Sequence, residues 1–475
     1  MYTPQITVKM KNTFNILLLY LFVSFFMACS NDNFLEEVVV VEEITEDIID
    51  EKEIDAADPP ISTPIPTVTL KEGQIYPENG VMASTFGYTK ENATVALKAA
   101  LESNNSVIII DKQEADWIIE PLKLFGINNK RIFLEEGVVI RSKASAFGEL
   151  SASLIDLIMC EDLIIDGYEA SFQMNKEEYT DGEWRHALSI RGSSGITIRG
   201  LEFRDSGGDG IYLSGTENPG TFSENIIIED IKSINNKRQG FSIISAKDVW
   251  VTNSLFSETN GALPESGVDF EPNRESDILE NINFSNCSFT NNKHAGILLS
   301  LGNLTSNSSP ISINFTDCFT SSNSSIENAY VDSEIVIGGN SNSLVQGDVQ
   351  FDRLTIDGSD WGMLYSRKVA EGFHVSFTDC VLKNICKDNS KSPITLEVAD
   401  YSSETESLGG FTFNNIQVEY ATDVPLITIN GWETLKTLKD IKGNFKMPQN
   451  GNQIIKYSNY DKVKNTNVSI LLEEL

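Results

Sequence analysis

The sequence predicts an all-β protein folded as a right-handed parallel β-helix (solenoid) with a short N-terminal capping helix. From about Val107 onward one phrase recurs, in which apolar positions alternate, a short polar turn follows, and another alternating pair completes the copy. Most copies are flanked by a second short strand with no helix between them, which is typical of a solenoid with one coil per repeat. The copies begin at Leu163, Ile196, Ile226, Val249, Ile282, Ile313, Val349, Val375 and Phe411.

Residues 1–29 have the pattern of a bacterial lipoprotein signal. Lys9 and Lys11 precede an apolar run from Phe14 to Met27, which is shorter than a membrane-spanning helix requires. The run ends in FMACS, which resembles a lipobox and implies that Cys29 becomes the lipidated first residue. The resemblance implies an outer-membrane lipoprotein, exposed at the cell surface and held to the membrane by its lipid. A plain secretory signal with an incidental cysteine is the alternative.

Residues 30–66 are predicted to form an acidic, proline-rich linker. Twelve Asp or Glu and one Lys lie between Asn31 and Pro60, and the prolines of Asp58 to Thr67 favour an extended spacer. Residues 67–475 are then the β-helix domain. Within it, Thr94 to Glu102 has the pattern of a short amphipathic helix that covers the open end of a sheet. Its predicted core positions are Val95, Leu97, Ala100 and Leu101.

Composition excludes some partners and some kinds of site. A net charge of −33 and a pI near 4.4 argue against nucleic-acid binding, because phosphate contacts need a clustered basic surface. Cys287, Cys318 and Cys380 occupy the same place in the repeated phrase, so we expect stacked buried thiols in the core. The sequence contains no CxxC or His-Cys spacing of the kind that zinc sites require. We also expect the protein to be a monomer.

From Ile118 to the C terminus the repeat pattern resembles the pectin-lyase-like β-helix superfamily of carbohydrate-active proteins. This resemblance implies a polysaccharide as the partner of the folded domain. Polygalacturonases and iota-carrageenases, two hydrolase groups of the superfamily, act on acidic glycans. The Asp-Asp doublet and the GHG signature of polygalacturonases are missing here.

The candidate active site is the stretch ESGVDFEPN, which begins at Glu265. Because side chains alternate along a strand, Val268 and Phe270 should point into the core while Asp269 and Glu271 point outward, with Cα atoms roughly 6.5 to 7 Å apart. Two carboxylates so spaced can flank a glycosidic bond, and crowding should keep one of them protonated as the acid. The separation favours inversion over retention. The alternative is a solvated acidic strand edge.

Other polar residues are expected on the same exterior line. The sequence can be aligned on Gly210, Gly240, Gly267 and Gly296. The residues one and three positions after each glycine are then apolar and share one face, and the residues two and four positions after it are mostly polar and share the other. The residues predicted to bind substrate or tune the acids are Trp184, His186, Asp209, Tyr212, Arg238, Gln239, Glu265 and His294.

Three functions remain open from the sequence. The first is a glycoside hydrolase acting on a uronate or sulfated glycan through Asp269 and Glu271. The second is a polysaccharide lyase or uronate epimerase, in which Arg238, Lys293 or His294 is the base and a Ca²⁺ ion, held by the two acids and Glu265, neutralises the uronate. The third is a surface glycan-binding β-helix without catalysis. No cofactor other than this possible Ca²⁺ is expected.

Overall fold

The computed structural model describes residues 76–324, 333–339, 343–387, 391–398, 407–420, 424–430, 437–448, 455–458 and 465–475. All of the described residues lie in one compact unit, Thr63–Leu475. The predicted signal with Cys29 and the predicted linker lie outside the described residues. Across the described ranges, no helix combines the length and the apolar character that crossing a membrane requires.

The only α-helix of the described residues, α1, spans Thr94–Glu102, the range that the sequence predicts. It packs against the first coils through a buried face that includes Leu97 and Ala100. Val95 was expected in the core, but it is 79% exposed and Ala96 is buried in its place. The predicted helix is therefore confirmed. The predicted burial of Val95 is wrong, because the buried face of the helix includes Ala96 instead.

The described residues form short parallel strands and two 3-10 helices, at Ala83–Phe86 and Lys176–Glu178. The first strands are β1 Val81–Met82, β2 Val107–Ile110, β3 Trp117–Ile119, β4 Leu122–Phe125, β5 Asn128–Leu134, β6 Val139–Ser142, β7 Ile155–Ile158, β8 Glu161–Gln173, β9 Leu188–Arg191, β10 Ser194–Arg204, β11 Ile211–Ser214 and β12 Ser223–Glu229. The middle strands are β13 Lys232–Ile234, β14 Gln239–Ile243, β15 Ala246–Thr252, β16 Leu255–Ser257, β17 Ser266–Phe270, β18 Leu279–Ser285, β19 Ser288–Thr290, β20 Ile297–Ser300, β21 Ile311–Thr316, β22 Phe319–Ser321 and β23 Ser333–Gly338. The last strands are β24 Gly347–Asp352, β25 Thr355–Asp357, β26 Gly362–Ser366, β27 His374–Thr378, β28 Val381–Lys383, β29 Ile394–Glu397, β30 Ser407–Val418, β31 Ile427–Asn430, β32 Thr437–Met447, β33 Ile455–Ser458 and β34 Thr466–Glu474.

Each coil contributes one strand to each of three parallel stacks. One stack is a 12-stranded sheet running from β4 through β9, β11, β14, β17 and β20 to β33, and we call it the site sheet. The other two stacks join into a 22-stranded sheet, because long strands such as β8 and β10 pair with members of both. All of these ladder pairings are parallel, so the predicted parallel β-helix is confirmed.

Identical side chains stack along the core. Phe284, Phe315, Phe351, Phe377 and Phe413 occupy matched positions in successive coils, with neighbouring ring centroids 4.7–5.4 Å apart. These distances are close to the spacing of neighbouring strands, so each ring lies directly over the next. The described cysteines are all buried, and Cys287, Cys318 and Cys380 lie in the core as predicted.

The corner before the site sheet explains the recurring glycines. A Cβ on Gly240 would lie 2.4 Å from the carbonyl oxygen of Gly267, and one on Gly267 would lie 2.6 Å from the carbonyl oxygen of Gly296. Buried asparagines satisfy the polar backbone there: Asn292 Nδ2 donates to the Phe256 carbonyl over 3.2 Å. The glycines therefore allow successive backbones to approach closely at the start of β14 and β17.

Candidate active site

The outward residues of the site sheet form one continuous line across the coils. Tyr212 pairs with Ser242, Ser242 with Asp269, and Asp269 with Leu298. This is the register that aligning the glycines predicts. Ser189 of the preceding coil extends the line beyond Tyr212, so residues far apart in sequence meet on one surface.

Asp269 is enclosed instead of facing a groove. Its residue is 0% exposed, and Gln239 Nε2 donates to its Oδ2 over 2.8 Å, while Oδ1 is buried with no geometrically suitable partner. Val268 and Phe270 point into the core as expected. The prediction that both acids are accessible is therefore wrong for Asp269, because alternation fixes a side chain's face and neighbouring side chains decide its exposure.

Arg238 is the centre of the site. Its guanidinium is buried among carboxylates, with Nη2 2.6 Å from Glu271 Oε2, Nε 3.6 Å from Glu183 Oε2 and Nη1 3.8 Å from Asp209 Oδ1. Burial alone would lower the pKa of Arg238, but the charges of Glu271, Asp209 and Asp269 raise it above its usual value. Arg238 is thus a fixed cation that cannot act as a base.

Two of the acids are shifted toward the protonated form. Burial raises the pKa of Asp269 well above its usual value, and the nearby charge of Glu271 raises it further against the opposing effect of Arg238. Burial also raises the pKa of Glu183, again with a contribution from Glu271. The cluster therefore places carboxyl groups with a raised pKa next to an ion-paired carboxylate, an arrangement that suits acid–base catalysis.

His186 and Tyr212 lie beside this cluster, as the sequence predicts for the line. Their rings stack with centroids 4.5 Å apart and an angle of 11°. His186 Nδ1 accepts the backbone N–H of Asp209 over 3.0 Å, so it does not donate to the Asp209 carboxylate 3.2 Å away. Both carboxyl oxygens of Asp209 are consequently buried without a hydrogen-bond partner. Burial raises the pKa of Tyr212 to about 12, so this phenol stays neutral.

Glu265 belongs to a separate ion-pair group. Lys293 Nζ lies 2.8 Å from its Oε1, and His294 Nε2 lies 3.1 Å from its Oε2. Burial opposes ionisation of Glu265, but these two partners and the Gly261 N–H lower its pKa to about 2. The calcium set of Asp269, Glu271 and Glu265 is not assembled, since the described residues contain no group of three or more candidate metal ligands.

Glu183 is the site residue that sequence reasoning missed. It lies in the loop between β8 and β9, which has no repeated pattern, and its side chain is 32% exposed beside the 26% exposed side chain of Glu271. The neighbouring Trp184 was predicted as a sugar-stacking residue and is exposed. The sequence signal that could have identified Glu183 is its position directly before Trp184 and close to His186, both of which were predicted as site residues.

A cavity of about 250 Å³ opens beside the acid cluster. Its lining includes Trp184, His186 and Tyr212 together with Arg191 and Arg274. Arg191 pairs with Asp156, which also lines the cavity, and both arginines approach the exposed Glu217. A surface with one exposed indole, stacked rings and guanidinium groups can accept a sugar face and hydrogen-bond to its polar substituents.

Comparison with known proteins supports the fold. A family model described as "Right handed beta helix region" matches residues 184–308, and no curated protein matches the chain. The right-handed parallel β-helix is therefore confirmed, and the resemblance to the pectin-lyase-like superfamily holds at the level of this fold.

Solved structures give weaker likenesses. The GH87 α-1,3-glucanase of Streptomyces thermodiastaticus is 15% identical with a TM-score of 0.45, covering 84% of this chain and 72% of its own. The adhesin PfbA of Streptococcus pneumoniae is 13% identical with a TM-score of 0.47, covering 83% and 93%. The family 28 exopolygalacturonase of Yersinia enterocolitica is 11% identical with a TM-score of 0.42, covering 82% and 77%. At these values the likenesses identify no activity for the chain.

Proposed function

We propose that the chain hydrolyses a polysaccharide at the carboxylate cluster around Arg238. The observation that carries this proposal is the pairing of an accessible carboxylate, Glu271, with a buried guanidinium at 2.6 Å, next to an enclosed carboxyl, Asp269, whose pKa is raised. Glu271 is the base of the reaction. Asp269, predicted as a catalytic acid, is in this proposal a positioning residue, since it is 0% exposed.

The substrate we propose is an acidic glycan carrying carboxylate or sulfate groups. Arg191 and Arg274 line the cavity, and such groups would bind their guanidinium groups in place of the exposed carboxylate of Glu217. Trp184 supplies an exposed aromatic face for a sugar ring. Because the chain is strongly negative, an anionic polymer would have to bind through these two guanidinium groups, in competition with the carboxylates of Asp156, Glu217 and Asp277 that also line the cavity.

Hydrolysis is favoured over elimination by the state of the candidate bases. A lyase would need Arg238, Lys293 or His294 to take a proton. The carboxylates around Arg238 raise its pKa, whereas Lys293 and His294 are both engaged by Glu265. The sequence predicts a lipid anchor at Cys29. A lipoprotein anchored in this way at the cell surface would present the proposed activity outside the cell.

The test is incubation of residues 67–475 with polygalacturonan, alginate, carrageenan and a neutral α-glucan, followed by mass spectrometry. We expect products that carry one added water and a new reducing end from one of the acidic polymers. Unsaturated products would indicate elimination instead. Intact polymers that nevertheless retain the protein on an affinity gel would indicate a non-catalytic glycan-binding β-helix.

A further inference from the structure

Two accessible glutamates approach the same edge of the Arg238 guanidinium. Glu271 Oε2 lies 2.6 Å from Nη2 and Glu183 Oε2 lies 3.6 Å from Nε. Nε and Nη2 of one guanidinium are about 2.3 Å apart, so the two Oε2 atoms lie no more than about 8.5 Å from each other. This upper limit lies within the range of up to about 9.5 Å over which carboxyl pairs of glycoside hydrolases act, and separations of about 6.5 to 9.5 Å leave room for a water between them.

The backbone around Glu183 is anchored to the residue that precedes Arg238. Lys237 Nζ donates to the carbonyl oxygens of Tyr179 and Gly182, at 2.6 and 3.0 Å. Consecutive residues of one coil therefore hold consecutive residues of the loop: Lys237 binds Gly182, and Arg238 faces Glu183. This fixes Glu183 relative to Glu271 even though the two belong to different coils.

The surroundings of Glu183 suit a proton donor. Burial raises its pKa, the charges of Glu271 and Asp209 raise it further, and Arg238 opposes them only in part. Its side chain keeps 32% exposure, whereas Asp269 has none. Trp184, the next residue, lines the cavity in which a sugar would lie. Of the two acids with raised pKa around Arg238, Glu183 is the one that a substrate can reach.

We propose that Glu183 is the general acid of the hydrolysis, acting opposite Glu271 across Arg238. This inference rests on the proposed function. The Glu183 carboxylic acid gives its proton to the glycosidic oxygen as the bond from that oxygen to the anomeric carbon breaks. Glu271 takes a proton from a water whose oxygen forms the new bond to the anomeric carbon. Exchange with solvent then returns one proton to Glu183 and removes one from Glu271.

The first test compares Glu183→Gln with Glu177→Gln, an exposed glutamate of the same loop. The substrates are the polymer of the panel that the wild type cleaves and the dinitrophenyl glycoside of its repeating sugar. We expect Glu183→Gln to lower kcat on the polymer about 10²–10⁴-fold, the usual range for loss of a general acid or base. The dinitrophenyl leaving group needs no proton, so its release should stay near the wild-type rate. Glu177→Gln should match the wild type on both.

The second measurement is the pH profile of the residual activity. Glu183→Gln should lose the alkaline limb of the wild-type profile, because that limb reports deprotonation of the acid. Unchanged cleavage of the polymer by Glu183→Gln, or a retained alkaline limb, would overturn the role of Glu183 while leaving the proposed hydrolysis standing. A wild-type protein that cleaves no polymer would overturn both. Equal melting temperatures of variant and wild type would show that the fold is unchanged.

Discussion

At the scale of single residues, the buried charge of Arg238 is the feature on which the site depends. It compensates Glu271 directly and lies near the enclosed Asp209, whose carboxyl oxygens accept no hydrogen bonds. Arg238→Met should destabilise the protein by about 3–5 kcal/mol at neutral pH, because it leaves buried carboxylates without a cation. Urea unfolding followed by circular dichroism measures this loss.

The matched control for that substitution is Arg353→Met. Arg353 is exposed and pairs with Asp317 and Asp352 at the surface, where such pairs contribute about 0–1 kcal/mol. Equal losses for Arg238→Met and Arg353→Met would contradict the central electrostatic role of Arg238.

Asp269 should make the stability of the protein depend on pH in an unusual direction. Its raised pKa means that the folded state binds its proton more tightly than the unfolded state does. Both states are protonated at low pH, and as the pH rises above the usual carboxyl range the unfolded state ionises first, which lowers the stability of the fold. Asp269→Asn removes this loss, so the variant should melt at or above the wild-type temperature at pH 8, with the difference shrinking toward pH 4.

Asp317→Asn is the comparison variant, because the pKa of Asp317 is shifted in the opposite direction to that of Asp269. A hydrogen bond from Arg353 lowers the pKa of the exposed Asp317, so its neutral replacement cannot stabilise the protein at pH 8. A melting temperature of Asp269→Asn far below that of the wild type at pH 8 would show that the ionised form of Asp269 is favoured by the fold.

From the sequence, the site residues on the strands could be predicted, together with Trp184, His186, Asp209 and Arg238, which lie shortly before the strands. Asp269 and Glu271 could be assigned to one face because strand alternation is fixed. Glu183 could not be found in this way, because a loop without a repeat carries no register. The enclosure of Asp269 depends on where the Gln239 amide lies, and side-chain positions of this kind are not encoded in a periodic pattern.

At the scale of elements, the corner before the site sheet holds the coils in register. The Thr259 N–H donates to Asn292 Oδ1 over 3.1 Å, and Asn292 Nδ2 donates to Asn323 Oδ1 over 2.9 Å. Because the corner is buried, each hydrogen-bonding group left alone there costs about 1–3 kcal/mol. Asn292→Ala should therefore cost several times more stability in urea unfolding than Asn307→Ala, which changes an exposed loop residue.

A cost for Asn292→Ala no greater than that for Asn307→Ala would contradict the role of the corner. The sequence located this element through its glycines, which recur one position before each inward apolar pair. The reason for these glycines is not visible in the sequence, because the close approach of successive backbones is seen only when the coils are stacked.

At the scale of the whole molecule, the repeated phrase was sufficient to predict the architecture. The apolar positions that recur in each copy become the continuous core, including the phenylalanine stack, and helix α1 packs against the first coils. The strongly acidic segment before the domain contributes about a third of the net charge of −33 and lies outside the described residues. The cavity was not predictable, because loops of varying length between the coils form much of its wall.

Hydrolysis at the Arg238 cluster can be tested by cleaving an acidic polysaccharide in ¹⁸O-labelled water with residues 67–475, with and without Glu271→Gln. We expect the wild type to incorporate one ¹⁸O atom at each new reducing end. Glu271→Gln should reduce the rate about 10²–10⁴-fold while the protein keeps its circular dichroism spectrum. Unlabelled, unsaturated ends, or a Glu271→Gln variant as active as the wild type, would contradict hydrolysis at the Arg238 cluster.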